Sequence, residues 1–324
     1  MSGLLRGNSP ISKTYADCSG CSLCLLVCPV WRRTCDIELT PHGRSKALQN
    51  DVRPADIAIS IQSCTLCGAC EPVCPERINL TDMVLDLRRT LGPPPGFPTS
   101  TPQSRAAMQP ISSTPLLLSD RALAANPEVL NHTATLLGGV LVVGDDGSDI
   151  VLALEAGAEI SPQRLDNFLT SLRLSAKLIV ADGLLSRHLA RWLPGVALVS
   201  LGEALSSLPD VRSSLRATDL YVIEPRAYHA NYQRLVKYYD GLRAARACAF
   251  NLDLQRIAIP ASAPNLLQRL GLEPQDNDGQ ASWILHGRKI SRIVVERFED
   301  RLAFENVSDV PVTYLADLTE AVAC

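Results

Sequence analysis

Cys18-Ser-Gly-Cys21-Ser-Leu-Cys24-Leu-Leu-Val-Cys28-Pro29 and, 46 residues on, Cys64-Thr-Leu-Cys67-Gly-Ala-Cys70-Glu-Pro-Val-Cys74-Pro75 share one form, C-x2-C-x2-C-x3-C-P. Three cysteines at so tight a spacing let the backbone wrap one face of an iron-sulfur cubane, and three thiolates reach three irons. The fourth, followed by proline, begins a separate segment and reaches the other cluster. The pattern predicts two [4Fe-4S] clusters with crossed ligation. One takes Cys18, Cys21, Cys24 and Cys74; the other takes Cys64, Cys67, Cys70 and Cys28. A pair of structural zinc sites would use two C-x2-C pairs each, and a third cysteine at the same step plus a following proline, occurring twice, fits that poorly.

The segments around the motifs read as helix. Apolar positions in Ile57-Ala-Ile-Ser-Ile61 suit a short helix leading into the second motif. After Cys74, Asn79 or Thr81 can cap a helix from Asp82 to Leu91 with Met83, Leu85 and Leu87 turned mostly inward, and Gly92-Pro-Pro-Pro-Gly96 ends it. The first unit, 1–92, is thus expected to be an all-α, ferredoxin-like domain. Cys35 is a ninth thiol for eight positions and reads as a small, partly buried free thiol. Arg32, Arg33 and Arg53 read as solvated surface charge in preference to a docking face.

The rest of the composition excludes several classes. The chain has 324 residues, enough for about two domains. Apolar residues make up 46% and charged residues 20%, and 31 Lys and Arg against 34 Asp and Glu leave a net charge of −3. That balance offers no field to attract nucleic acid. The longest uncharged apolar run, Leu136 to Gly144, is too short to cross a bilayer. Residues Met1 to Lys13 contain no apolar stretch of the kind that forms a signal peptide, so a cytoplasmic location is expected. Nine of the eleven cysteines lie at or before position 74, whereas a disulfide scaffold would spread them along a short secreted chain.

Both motifs, the segment Pro41-His-Gly-Arg44 and Cys74-Pro-Glu-Arg-Ile-Asn-Leu80 leading to Asp86-Leu-Arg-Arg89 resemble the helical dicluster ferredoxin of heterodisulfide-reductase-related iron-sulfur subunits. That family includes the iron-sulfur subunits of glycolate oxidase, lactate-utilisation and anaerobic glycerol-3-phosphate dehydrogenase systems. The resemblance covers a little over a quarter of the chain.

Residues 93–115 carry seven prolines among Ser, Thr and Gln and read as a linker. From 116 to 324, short apolar runs alternate with helical patterns: Leu116–Leu118, Val140–Val143, Leu178–Val180, Val196–Leu201, Leu220–Ile223, Arg256–Ile259, Ile293–Val295 and Val312–Leu315. The alternation predicts an α/β domain with largely parallel strands, making the whole chain an α+β multidomain protein. Leu116–Asn126 lies over Tyr221–Asn231 at an offset of 105 with four of eleven positions identical, and Ile179–Leu205 lies over Ile293–Thr319 at 114 without a gap. The α/β part is therefore expected to be two repeats, about 116–209 and 220–322.

This layout resembles the paired Cys-Cys-Gly domains that follow the ferredoxin in the same family. Where that family has cysteines, this chain has Arg226 and the stretch Ile259-Pro-Ala-Ser-Ala263, so the domain lacks thiolates for further clusters. Cys248 reads as a core residue and Cys324 as a terminal one. Val143-Gly-Asp-Asp-Gly-Ser-Asp149 reads as a tight turn in preference to a phosphate cradle, and His188, His229 and His286 as structural residues.

Together these features predict an iron-sulfur electron-transfer subunit of a multi-subunit oxidoreductase, relaying single electrons between a flavoprotein or other redox subunit and a carrier. The resemblance adds a cysteine-bearing heterodisulfide-reductase-like subunit as a candidate partner, through which peripheral membrane association could arise. Two alternatives stand beside it: a catalytic subunit whose α/β domain binds a small substrate or thiol/disulfide carrier, and a structural or assembly subunit whose clusters do not turn over.

Overall fold

Cys28-Pro29 shows how the motif shapes its own backbone. Cys28 ends the helix Leu23–Val27 and is also the N-cap of the helix Pro29–Thr34, whose proline occupies the first turn, where a missing N–H costs nothing. The computed structural model describes residues 13–97, 115–274 and 278–322. Positions 98–114, most of the linker, and Cys324 lie outside the described residues. Through residue 97 the described secondary structure is helical. Pro41–Gln49 is capped by the Thr40 hydroxyl, Ala58–Ser63 runs into the second motif, and Leu80–Leu91 follows it. The last helix begins two residues earlier than expected, and Thr81 is buried within it, its N–H donating to Glu71 at 2.8 Å.

Eight strands follow: β1 (Leu116–Leu118), β2 (Leu141–Val142), β3 (Lys177–Val180), β4 (Ala197–Ser200), β5 (Asp219–Val222), β6 (Ala249–Phe250), β7 (Arg292–Val295) and β8 (Val312–Tyr314). They make two parallel four-stranded sheets of the same order, β2-β1-β3-β4 and β6-β5-β7-β8. Seven strands fall where the apolar runs place them. The sixth does not: the expected Arg256–Ile259 lies beyond it, with Ala258 making only an isolated antiparallel bridge to Leu252. The sheet instead takes Ala249–Phe250, two residues beyond the end of the helix Tyr232–Arg246, a segment too short to show periodicity.

Backbone hydrogen bonds give the correspondence between the sheets. Ala181 donates to Leu118 and Glu296 to Val222, so the first strands correspond at an offset of 104 and the third strands at 115. The fourth strands correspond at 114, as Leu178 pairs with Leu198 and Ile293 with Val312. The offsets of 105 and ungapped 114 read from residue identity are therefore each displaced by one at a strand. In a strand such a slip turns every side chain to the other face, so burial decides the register that identity alone misplaces.

Alternation along β1 and β3 divides the interior. Leu117 and Ile179 face a core shared with the second sheet, including Tyr221, Tyr239 and Phe304. Leu116, Leu118, Leu178 and Val180 face Ile150, Phe168 and Leu189 on the helices Ser148–Ala156, Pro162–Leu172 and Gly183–Trp192. A third core joins the helical part to the α/β part, as Leu184 packs among Leu48, Ile61, Val84 and Leu87.

Candidate metal centre

Each motif bends its chain through backbone conformations that a regular helix excludes. In the first, Gly20 has φ +79° and Ser22 has φ +63°; in the second, Leu66 has φ +55° and Gly68 has φ +75°. These left-handed positions turn successive cysteines toward one point. The result is two cavities. One is lined by Cys18, Cys21, Cys24 and Cys74, the other by Cys28, Cys64, Cys67 and Cys70. Pro41 and Leu80 line both cavities.

The thiols are ill-suited to each other's company without a cation. Burial, then the neighbouring Cys28, Cys18, Cys21 and Cys74, push the Cys24 thiol up to about 12. Burial pushes Cys67 up to about 11 and Cys70 well above the usual thiol range. Iron bound between them would supply the positive charge that turns such thiols into thiolates. Among the described residues, no three His, Cys, Asp or Glu side chains close round a single ion. Four thiols line each cavity, three from one motif and the fourth from the other, which is the donor set that a [4Fe-4S] cubane takes.

The cysteine loops are held from outside by hydrogen bonds to their carbonyls. Gln49 and Lys46 donate to the Cys18 carbonyl at 2.9 and 3.2 Å. Arg88 donates to Cys64 at 2.6 Å and to Gln62 at 3.2 Å, while Arg44 ties Ser60 to Leu39. Two holders come from the α/β part. Arg226 reaches the Thr65 carbonyl at 3.1 Å, and His229 Nδ1 lies 2.7 Å from the Cys67 carbonyl. His229 Nε2 accepts the Ala258 N–H, so the ring is the Nδ1–H tautomer and donates to Cys67. Burial lowers its pKa to about 4, which keeps it neutral. Gly68 leaves the space it needs, since a Cβ there would stand 3.0 Å from that of His229. Arg44 and Arg88 lie in the segments singled out above, but nothing in the sequence assigns them this work. Their one legible signal is an arginine on the apolar face of a helix, Arg88 following Val84 by four residues.

Arg226 also anchors a buried charge network. It donates to Glu155 at 2.5 Å, with Arg269 3.7 Å from the same oxygen. Burial pushes the Glu155 carboxyl up, but Arg269, Arg226 and Arg88 outweigh it and hold it down at about 2. Glu155 and Arg269 border a cleft of about 900 Å³ at the carboxyl ends of β1, β2 and β3, where Asp120 and Asp182 cap the following helices. Asp145 and Asp149 both grip Arg164, and 143–149 forms a turn into the helix Ser148–Ala156.

The remaining sequence candidates are dispersed. Cys35 is exposed, at the left-handed end of its helix, and not partly buried as expected. Cys248 is buried. Arg32 is a correction: its guanidinium lies 4.3 Å over Trp283 and 3.9 Å from Asp253, with only 14% of the side chain exposed. Arg33 and Arg53 are exposed. His188 is buried beside Trp192, and His286 is exposed.

A family of 4Fe-4S dicluster domains matches residues 14–78, about a fifth of the chain. Neither the curated proteins nor the solved structures offer a match. The chain thus carries a 4Fe-4S dicluster domain, and none of the described helices is long and apolar enough to cross a membrane.

Proposed function

We propose that this chain is the electron-transfer subunit of an oxidoreductase complex, holding one [4Fe-4S] cluster on Cys18, Cys21, Cys24 and Cys74 and a second on Cys28, Cys64, Cys67 and Cys70. The observation that carries the reading is the pair of cavities, each lined by three cysteines of one motif and the fourth of the other. Bound there, the clusters would supply one-electron storage and transfer. The chain's own residues hold the loops: Gln49 and Lys46 at Cys18, Arg88 at Cys64, Arg226 at Thr65 and His229 at Cys67. Cationic and N–H donors beside the second site favour added negative charge, so they raise its readiness to accept an electron. The partners are other redox subunits, a flavoprotein or a cysteine-bearing heterodisulfide-reductase-like chain, in the cytoplasm. The α/β part descends from the duplicated Cys-Cys-Gly unit, with Arg226 and the stretch Ile259-Pro-Ala-Ser-Ala263 standing where that family has cysteines, and Arg226 now pairing with Glu155.

Anaerobically prepared protein should contain about eight irons and eight acid-labile sulfides per chain. Stoichiometric zinc with little iron overturns the assignment.

The cleft at the ends of β1, β2 and β3 favours a second reading, since open parallel sheets bind ligands beyond their carboxyl ends. Under that reading the isolated chain turns over a small substrate or thiol/disulfide carrier with only an artificial dye as electron partner. Absence of such turnover, with clusters that a redox protein reduces, favours the first.

A further inference from the structure

Two large surface depressions differ in charge. The cleft at the strand ends is lined by seven carboxylates and four guanidiniums. A groove of about 810 Å³ on the outer side of the second cysteine site reverses that balance, with four arginines and one carboxylate, Asp253, among its lining residues. Asp240 lies next to it and pairs with Arg243 and Arg256, which leaves a net excess of two positive charges. Arg243 and Arg256 are about half exposed. Arg288 forms no ion pair among the described residues and donates to the Phe250 carbonyl.

The same groove gathers exposed apolar side chains. Leu254 is fully exposed, Leu26 is 58% exposed and Trp283 is 48% exposed. Side chains of this kind, ringed by arginine, have the composition of a protein-docking surface, in which Trp and Arg are enriched. Arg32 lies over the Trp283 ring with its Nη1 buried and unpartnered, so the aromatic platform is held by a cation that retains a free donor.

The groove also lies at the nearest edge of a cysteine site. Leu26 precedes Cys28 by two residues, and Arg32 is on the helix that Cys28 caps. Ile257, following the groove residue Arg256, packs with Val27 and Cys67.

We propose that this groove docks an acidic one-electron carrier protein, and that electrons cross there to the cluster on Cys28, Cys64, Cys67 and Cys70. The proposal rests on the electron-transfer reading above. The step is simple in its balance: the carrier loses one electron, the cluster gains one, and no bond or proton is exchanged. Positive charge around an apolar centre raises the encounter rate with an acidic partner, and salt weakens that advantage.

The test is stopped-flow reduction of the anaerobic full-length protein by a reduced acidic [2Fe-2S] ferredoxin. With native protein the rate should fall about tenfold between about 20 and 200 mM salt. Arg243→Glu/Leu254→Glu, two exposed positions, should slow the reaction about tenfold at low salt and flatten its salt dependence. Trp283→Ala should slow it at all salt concentrations, and Arg53→Glu, outside the groove, should leave it within about twofold of native. Cluster absorption and reduction by dithionite should be unchanged in every variant. Equal salt slopes in native and double-variant protein overturn the docking site, as does a dimer of the chain that the double substitution dissociates, which would assign the groove to a second copy. If ferredoxin and every other carrier fail to reduce the native clusters, the electron-transfer reading itself fails.

Discussion

Replacing Arg226 by methionine keeps an unbranched stem of similar reach and removes the guanidinium. Two consequences follow from the contacts. Glu155, held ionised in a buried site, loses its 2.5 Å partner and keeps Arg269 at 3.7 Å. The Thr65 carbonyl, next to Cys64, loses its donor at 3.1 Å. Stranding one member of a buried ion pair costs ~3–5 kcal/mol, and Arg269 keeps the figure near the lower end. An orphaned buried carbonyl adds ~1–3 kcal/mol, so Arg226→Met should cost about 4–6 kcal/mol. Changing Glu155 to methionine as well removes the stranded charge and the need for its partner. Arg269 then loses a partner but is relieved of the repulsion from Arg226 that helps depress its pKa. The double variant should therefore be about 2–3 kcal/mol more stable than the sum of the single effects predicts. The assay is anaerobic denaturant unfolding of native, single- and double-variant protein, followed by far-UV circular dichroism. A loss below about 1 kcal/mol for Arg226→Met, or strictly additive effects, would refute the claim that this network ties the α/β part to the cysteine loop.

Cys74→Ser should damage the cluster held by Cys18, Cys21 and Cys24 and spare that of its own motif; paramagnetic resonance of the reduced protein resolves the two, and the opposite pattern would reverse the crossed ligation. Gly183→Ala should destabilise the protein by about 1–3 kcal/mol or more, because its Cβ would stand 2.2 Å from the Ala227 nitrogen where two helices touch; thermal melting measures it, and no change in midpoint would contradict that approach. Burial holds His188 and His229 neutral down to about 4, so the folded chain binds fewer protons than the unfolded one and stability grows as pH rises from 4 to 6.5. Glu224 and Glu296, raised by burial to about 7, act oppositely between 4.5 and 7, so Glu296→Gln should make the midpoint rise more steeply with pH over that window; an unchanged slope would sink the argument.

Spacing alone points to the eight thiols, because three cysteines within each run are turned together by local chain geometry that Gly20, Gly68 and the two prolines build in place; the fourth thiol of each run meets the other run's cavity only once the two segments pack together. The parallel strands were legible for a related reason: β1, β3, β5 and β7 are buried on both faces, so Leu116–Leu118 and Ile293–Val295 read as unbroken apolar runs. Where two residues make a strand, as in Ala249–Phe250, no period exists to be read. Register between the two sheets was out of reach because residue identity tolerates a one-residue slip that the burial of Leu117 and Ile179 does not. The holders of the metal site depended most on the tertiary structure. Arg226 and His229 are 161 and 162 residues from the carbonyls they serve, and Arg88 binds Glu155 across 67. A charged or imidazole side chain looks the same in sequence whether solvent or a buried carbonyl is its partner; only packing the α/β part against the cysteine loops removes the solvent and makes the carbonyl the partner.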